Sequence, residues 1–226
     1  MRKLFNKKML IFVLASIVIY SFTFCLTACK KKIDYFSYVS ELRDNIFLFE
    51  TDEYVLRAYS VAKETPYLAD GIVMETSRRI EVYFIAPQGD KNCSLVLTLD
   101  GEEYGGDMSY DNVKMQYFWT CTLDVSQCAD LPFAIQYGEN SLNFKAKSVL
   151  CGKELSPTLL LQNVINETPE LFASLSDKYG FAGEIYIRLI YEENPYYYIG
   201  IIDRTGKIYA FLSNAVTGAI LAKREM

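Results

Sequence analysis

Apolar and polar residues alternate with a period of two in a series of short runs between residues 54 and 150. That pattern belongs to strands that turn one face inward. Tyr54–Val61 alternates, and so does Arg79–Ile85, which Pro87-Gln88-Gly89-Asp90 ends. In the next run Cys93, Leu95, Leu97 and Leu99 share a face, and Met115, Tyr117, Trp119, Cys121, Leu123 and Val125 form the longest one-sided ladder. Phe133–Tyr137 and Leu142–Leu150 read as a hairpin over Gly138-Glu139-Asn140-Ser141. About six or seven short strands with regular turn signals predict an antiparallel β-sandwich of immunoglobulin-like architecture over residues 46–152.

The pattern changes after Cys151-Gly152-Lys153-Glu154. Ser156-Pro157 and Thr168-Pro169-Glu170 are helix starts, each a capping hydroxyl followed by proline in the first turn. Leu160, Val164, Leu171, Phe172 and Leu175 give one apolar stripe across two short helices, and Gly180 is a stop. Strands follow over 184–191, 196–203, 207–213 and 219–223, separated by Asn194-Pro195, Arg204-Thr205-Gly206 and Val216-Thr217-Gly218. Residues 153–226 thus predict a small helix-plus-antiparallel-sheet unit, and the whole chain an α+β fold.

"DRTGKIYAFLSNAVTGAILAKRE", residues 203–225, resembles the closing hairpins of a PepSY-type domain. The features that carry the resemblance are Asp203, Gly206-Lys207, Tyr209, Ala215, Thr217-Gly218 and Ile220-Leu221. The resemblance implies a helix packed on an antiparallel sheet, and an extracytoplasmic role in peptidase inhibition or protein binding.

At the other end, Arg2, Lys3, Lys7 and Lys8 precede an uncharged run from Met9 to Ala28. A basic head, an apolar middle and small residues at the close are the layout of a secretory signal. Leu26-Thr27-Ala28-Cys29 resembles the lipobox of bacterial lipoproteins. The resemblance implies cleavage before Cys29, a diacylglycerol on its sulfur, and a body held on the extracytoplasmic face of the cell membrane. Residues 29–45 then form the lipidated cysteine and a short tether. Two acyl chains hold a bilayer firmly where one does not. A permanent membrane helix followed by Lys30-Lys31-Lys32 and an ordinary secretory signal are the competing readings.

Composition narrows the chemistry. Without residues 1–28 the chain has 19 basic and 28 acidic residues, a net of −9. Such a body does not seek nucleic acid. The absence of histidine removes Ser-His-Asp and Cys-His catalysis and most zinc arrangements. Cys93, Cys121, Cys128 and Cys151 show no CxxC spacing, and at most one pair is expected to bridge. Asp100, Glu102, Glu103, Asp107 and Asp111 crowd a glycine-containing stretch, with Asp107 and Asp111 the weak calcium candidates, but the spacing is not that of an EF-hand. A solvated hairpin loop explains them better, and no metal or other cofactor is expected.

Tyr196-Tyr197-Tyr198 beside a turn is the candidate binding surface, with alternation sending Tyr197 to the face opposite Tyr196 and Tyr198. The sequence therefore reads as a membrane-anchored, non-catalytic lipoprotein that binds another envelope protein or serves as an accessory module. The alternative is a solute-, peptidoglycan- or sugar-binding lipoprotein that serves a transporter or sensor.

Overall fold

In the computed structural model, which describes residues 33–226 other than 67, 69 and 90, the first strand decides the architecture. A 3-10 turn at Tyr35–Tyr38 leads into β1 (Val39–Glu50), which hydrogen-bonds to three other strands. β2 (Val55–Glu64) lies antiparallel along its length. β9 (Asn140–Ser148) pairs antiparallel with its second half through Phe47 and Leu48. β12 (Gly183–Tyr191) pairs with its first half and is parallel, with Val39 opposite Ile185 and Arg43 opposite Arg188.

One sheet of 13 strands results. This corrects the expected α+β fold of an immunoglobulin-like sandwich followed by a separate PepSY-like unit. The chain is mostly β, and the sheet curls into a nearly closed antiparallel barrel. The physical reason is β1: it continues the barrel wall into the C-terminal strands, so backbone hydrogen bonds cross the expected division. Residues 39–45, read from sequence as tether, are its first half.

From β2 the wall runs through β3 (Thr76–Ile85) to β7 (Gln116–Cys121). On the other side of β1 it runs through β9 and β8 (Asp130–Tyr137) to β4 (Cys93–Leu99). β5 (Glu102–Asp107) pairs with β4, and β6 (Ser109–Asp111) pairs with β7, so one bent run brings the two walls together. The close approach of β5 to β4 needs glycine, because a side-chain carbon at Gly105 would overlap the Leu95 carbonyl oxygen. The inward phase of these strands supplies the core: Phe47, Leu56, Val82, Phe84, Leu95, Leu97, Tyr117, Phe133 and Ile135 are all buried.

Two helices follow, α1 (Pro157–Glu167) and α2 (Pro169–Ser174). The Ser156 hydroxyl caps α1 by accepting from the Leu159 N–H at 3.3 Å. A two-stranded hairpin, β10 (Ser176–Asp177) and β11 (Gly180–Phe181), precedes β12. β12, β13 (Pro195–Asp203), β14 (Ile208–Asn214) and β15 (Ile220–Glu225) form an antiparallel meander. Leu160, Leu161, Val164 and Phe172 of the helices are buried, as are Ile185, Ile187, Ile199, Ile201 and Phe211, which share one face of the meander. The opposite face of the meander continues, across β1, into the outer face of the barrel.

Candidate functional site: an aromatic and cationic sheet face

That continuous outer face carries the most unusual surface chemistry. Period-2 geometry places Tyr196 and Tyr198 (β13), Tyr186 and Arg188 (β12), Glu41 and Arg43 (β1), Arg57 and Tyr59 (β2), Glu81 and Tyr83 (β3) and Phe118 (β7) on it. Several are large and aromatic or charged, the types that pair across neighbouring strands. Here they touch one another in a row.

On the barrel the Arg43 guanidinium lies 4.2 Å above the Tyr59 ring. Tyr59 meets Tyr83 edge-on with centroids 5.6 Å apart, and Tyr83 meets Phe118 at 5.0 Å. The Tyr83 hydroxyl donates to Glu81 at 3.3 Å, and Glu81 also holds the Lys63 ammonium at 2.5 Å. Burial, and then the Glu81 carboxylate, push the Tyr83 phenol well above its ordinary pKa, so it remains a donor. Arg43 Nε is buried with no hydrogen-bond partner.

On the meander Arg188 grips Glu41 with two nitrogens at 2.8 and 2.6 Å. The same guanidinium sits 4.5 Å over the Tyr186 ring, which stacks on Tyr198 at 5.7 Å. Tyr186 lies flat across Gly200, where any larger residue would overlap it.

Two open depressions on the barrel part share Tyr83, Lys114 and Gln116, with volumes of about 250 and 260 Å3. Arg43, Arg57 and Lys114 give the first positive charge, whereas in the second Lys114 stands beside Asp111. The arrangement can stack rings, pair with anions and donate hydrogen bonds, while it gathers no nucleophile with a general base.

The sequence-derived candidates divide. Tyr196 and Tyr198 are on this face, half-buried, whereas Tyr197 is 2% exposed and packs into the core on the opposite face. Asp107 ends β5 and Asp111 ends β6. Asp111 accepts from the Val113 and Lys114 N–H groups at 2.9 and 3.0 Å, and those bonds, the Lys114 one first, hold its carboxyl below the usual range. It caps a turn. Among the described residues no three His, Cys, Asp or Glu side chains gather to hold a metal. Cys29 lies outside the described residues. Cys93, Cys121, Cys128 and Cys151 are free thiols.

Arg43, Tyr59, Tyr83, Phe118 and Arg188 were not among the candidates. The signal was present: in 54–61 and 79–85 the polar phase of the alternation holds Arg57 and Tyr59, then Glu81 and Tyr83. No protein-family model, curated protein or solved structure matches the chain.

Proposed function

We propose that this chain is a lipid-anchored, extracytoplasmic, non-catalytic module that binds a second envelope protein through the outer face of its sheet. The Arg43–Tyr59–Tyr83–Phe118 row carries the reading. Arginine and tyrosine are enriched where proteins meet, because each offers a large rigid contact with a polar tip. The charge pattern selects the partner. Arg43, Arg57 and Lys114 stand out on a body of net charge −9, so the contacting surface of the partner is acidic. The anchoring half of the proposal rests on Leu26-Thr27-Ala28-Cys29 and its position after the uncharged run.

A photo-crosslinking residue at position 85 beside the row, used in intact cells, tests it. A discrete protein adduct is expected, lost with Arg57→Glu and weakened by salt. No adduct, or adducts indifferent to Arg57→Glu, would falsify the reading.

The openness of the two depressions favours a second reading, an anionic envelope glycan. Protein hot spots sit in deep, fully desolvated pockets, whereas sugar rings lie on exposed aromatic faces. Sedimentation with purified envelope polysaccharide, with Tyr83→Ala as control, separates the two.

A further inference from the structure

Strand directions bring five loops and ends to one end of the sheet. β1 begins there, with Val39 opposite Ile185 near the start of β12. β2 ends there and β3 begins, with Glu64 opposite Thr76. Gly183 at the start of β12 is opposite Asp203 at the end of β13, and the last residue, Met226, exchanges backbone hydrogen bonds with Ile208. The Tyr35–Tyr38 turn is fixed at the same end. The Tyr35 ring meets Phe172 and Phe181 at 4.8 and 5.3 Å, and the Tyr38 hydroxyl accepts from the Phe181 N–H at 3.3 Å. The chain therefore joins the body at the end that carries the β2–β3 loop, the β10–β11 hairpin, the β13–β14 turn and the C-terminus.

That end is greasy. Leu68 is 57% exposed, Ile72 55%, Met74 67%, Tyr179 83% and Met226 50%. Single exposed apolar residues are ordinary, but a set of them on neighbouring loop tips is not. The β2–β3 loop is also held so as to display them. The Gly71 N–H donates to Glu184 at 3.0 Å, and the Met74 N–H donates to Glu64. Both carboxylates are buried, and Ser40 donates a further hydrogen bond to Glu184. Gly71 rests on the backbone of Asp203 and Arg204. With its backbone drawn inward, the loop turns Ile72 and Met74 to solvent.

We infer that this end is a second membrane contact, in which Ile72, Met74 and Tyr179 seat in the headgroup layer of the bilayer. The length of chain before the body argues for this occupant. Five residues separate Cys29 from Tyr35, so the six Cα–Cα steps keep the position 29 backbone within about 20 Å of Tyr35 whatever path the chain takes. In that respect the inference rests on the anchoring proposed above. Tyrosine and lysine suit the layer, and Lys178 lies 4.8 Å over the Tyr179 ring. The same loops and ends carry Arg204 and Lys207 together with Asp70, Glu75, Asp177, Asp203 and Glu225, and Lys207 pairs with Glu225 at 2.7 Å. The named charges of this end are thus net negative, so apolar insertion drives the contact, and Lys30-Lys31-Lys32 of the tether supply the attraction to anionic lipid.

The test adds one tryptophan at a time, beside the native Trp119, to the protein as extracted from membranes and returned to vesicles of equimolar phosphatidylcholine and phosphatidylglycerol with brominated acyl chains. Ile72→Trp and Tyr179→Trp probe the end. Val113→Trp, in an 87% exposed turn at the opposite end, is the control. Bromine is expected to quench about half or more of the added emission at 72 and 179 and to leave 113 unchanged. All three variants alter exposed positions, and unchanged melting confirms their fold. Quenching at 72 and 179 no greater than at 113 overturns the inference. Carbonate-resistant vesicle association, compared with Cys29→Ser, reports on the anchor separately. Association without quenching keeps the anchor and sinks the contact, whereas quenching that survives Cys29→Ser keeps the contact without it.

Discussion

Arg188 and Glu41 join the barrel to the C-terminal meander through two charge-assisted hydrogen bonds across the parallel β1–β12 pair. Glu41 is almost wholly buried, and Arg188 is about two-thirds covered. Replacing Arg188 with Met leaves that carboxylate without its cation and removes the guanidinium from Tyr186. The expected loss is about 1–3 kcal/mol. Urea unfolding checks it, and Glu41→Gln with Arg188→Met should recover part of the loss.

Gly200 makes room for Tyr186 to cross β13 and stack on Tyr198. Gly200→Ala should cost about 1–3 kcal/mol and displace the Tyr186 ring. Near-ultraviolet circular dichroism reads the lost stacking directly. A full-strength aromatic signal in the variant would contradict the stated geometry.

Glu64 gives the pH dependence its sign. Burial first, and then the negative charges of Glu184 and Asp70, raise its pKa above the ordinary carboxyl value, against the opposing Met74 hydrogen bond. In the window between those two values the folded state binds more protons than the unfolded state. Stability from this group therefore falls as pH rises through the window and does not change below it. Glu64→Gln keeps an acceptor for Met74 and cannot ionise. The variant should match the parent at acid pH and exceed it at neutral pH, measured as the difference in unfolding free energy across a pH series. A difference that is flat with pH counts against the assignment.

The four thiols should react in order of exposure. Cys93 is buried beside the Met108 sulfur, and desolvation pushes its pKa up to about 12. Cys151 is exposed, with its sulfur 3.1 Å from a Glu154 carboxylate oxygen. A thiol reagent should label Cys151 in the native protein and Cys93 only at the rate of unfolding. Peptide mapping after timed labelling decides it.

Much of the strand order was readable because it is local. The alternation at 79–85, 93–99 and 133–137 became β3, β4 and β8, and Pro157 and Pro169 start the two helices. β1 was hidden by its own chemistry. It buries Ser40, Glu41 and Asn45, whose partners are Glu184, Arg188 and the carbonyls of Ser126 and Cys128. Its register against β2 also slips between Arg43 and Asn45. Buried polar groups on both faces and a one-residue slip erase the period that a sequence displays. The continuous sheet stayed hidden for the same reason, since the β1–β12 bond joins segments far apart in the chain. Of the outer face, Tyr196 and Tyr198 were found as a cluster. Arg43 and Tyr59 come from different strands, and only the register brings them together.

The three-way bonding of β1 also sets the order of events when the chain is made. Its N-terminal half leaves the ribosome early, yet Glu41 must wait for Arg188, 147 residues later. Pairings of such long range are slow to close. Until about residue 190 has emerged, one side of the earliest-made strand is an open hydrogen-bonding edge, and a holding factor that masks it would meet its substrate in the window between synthesis and release.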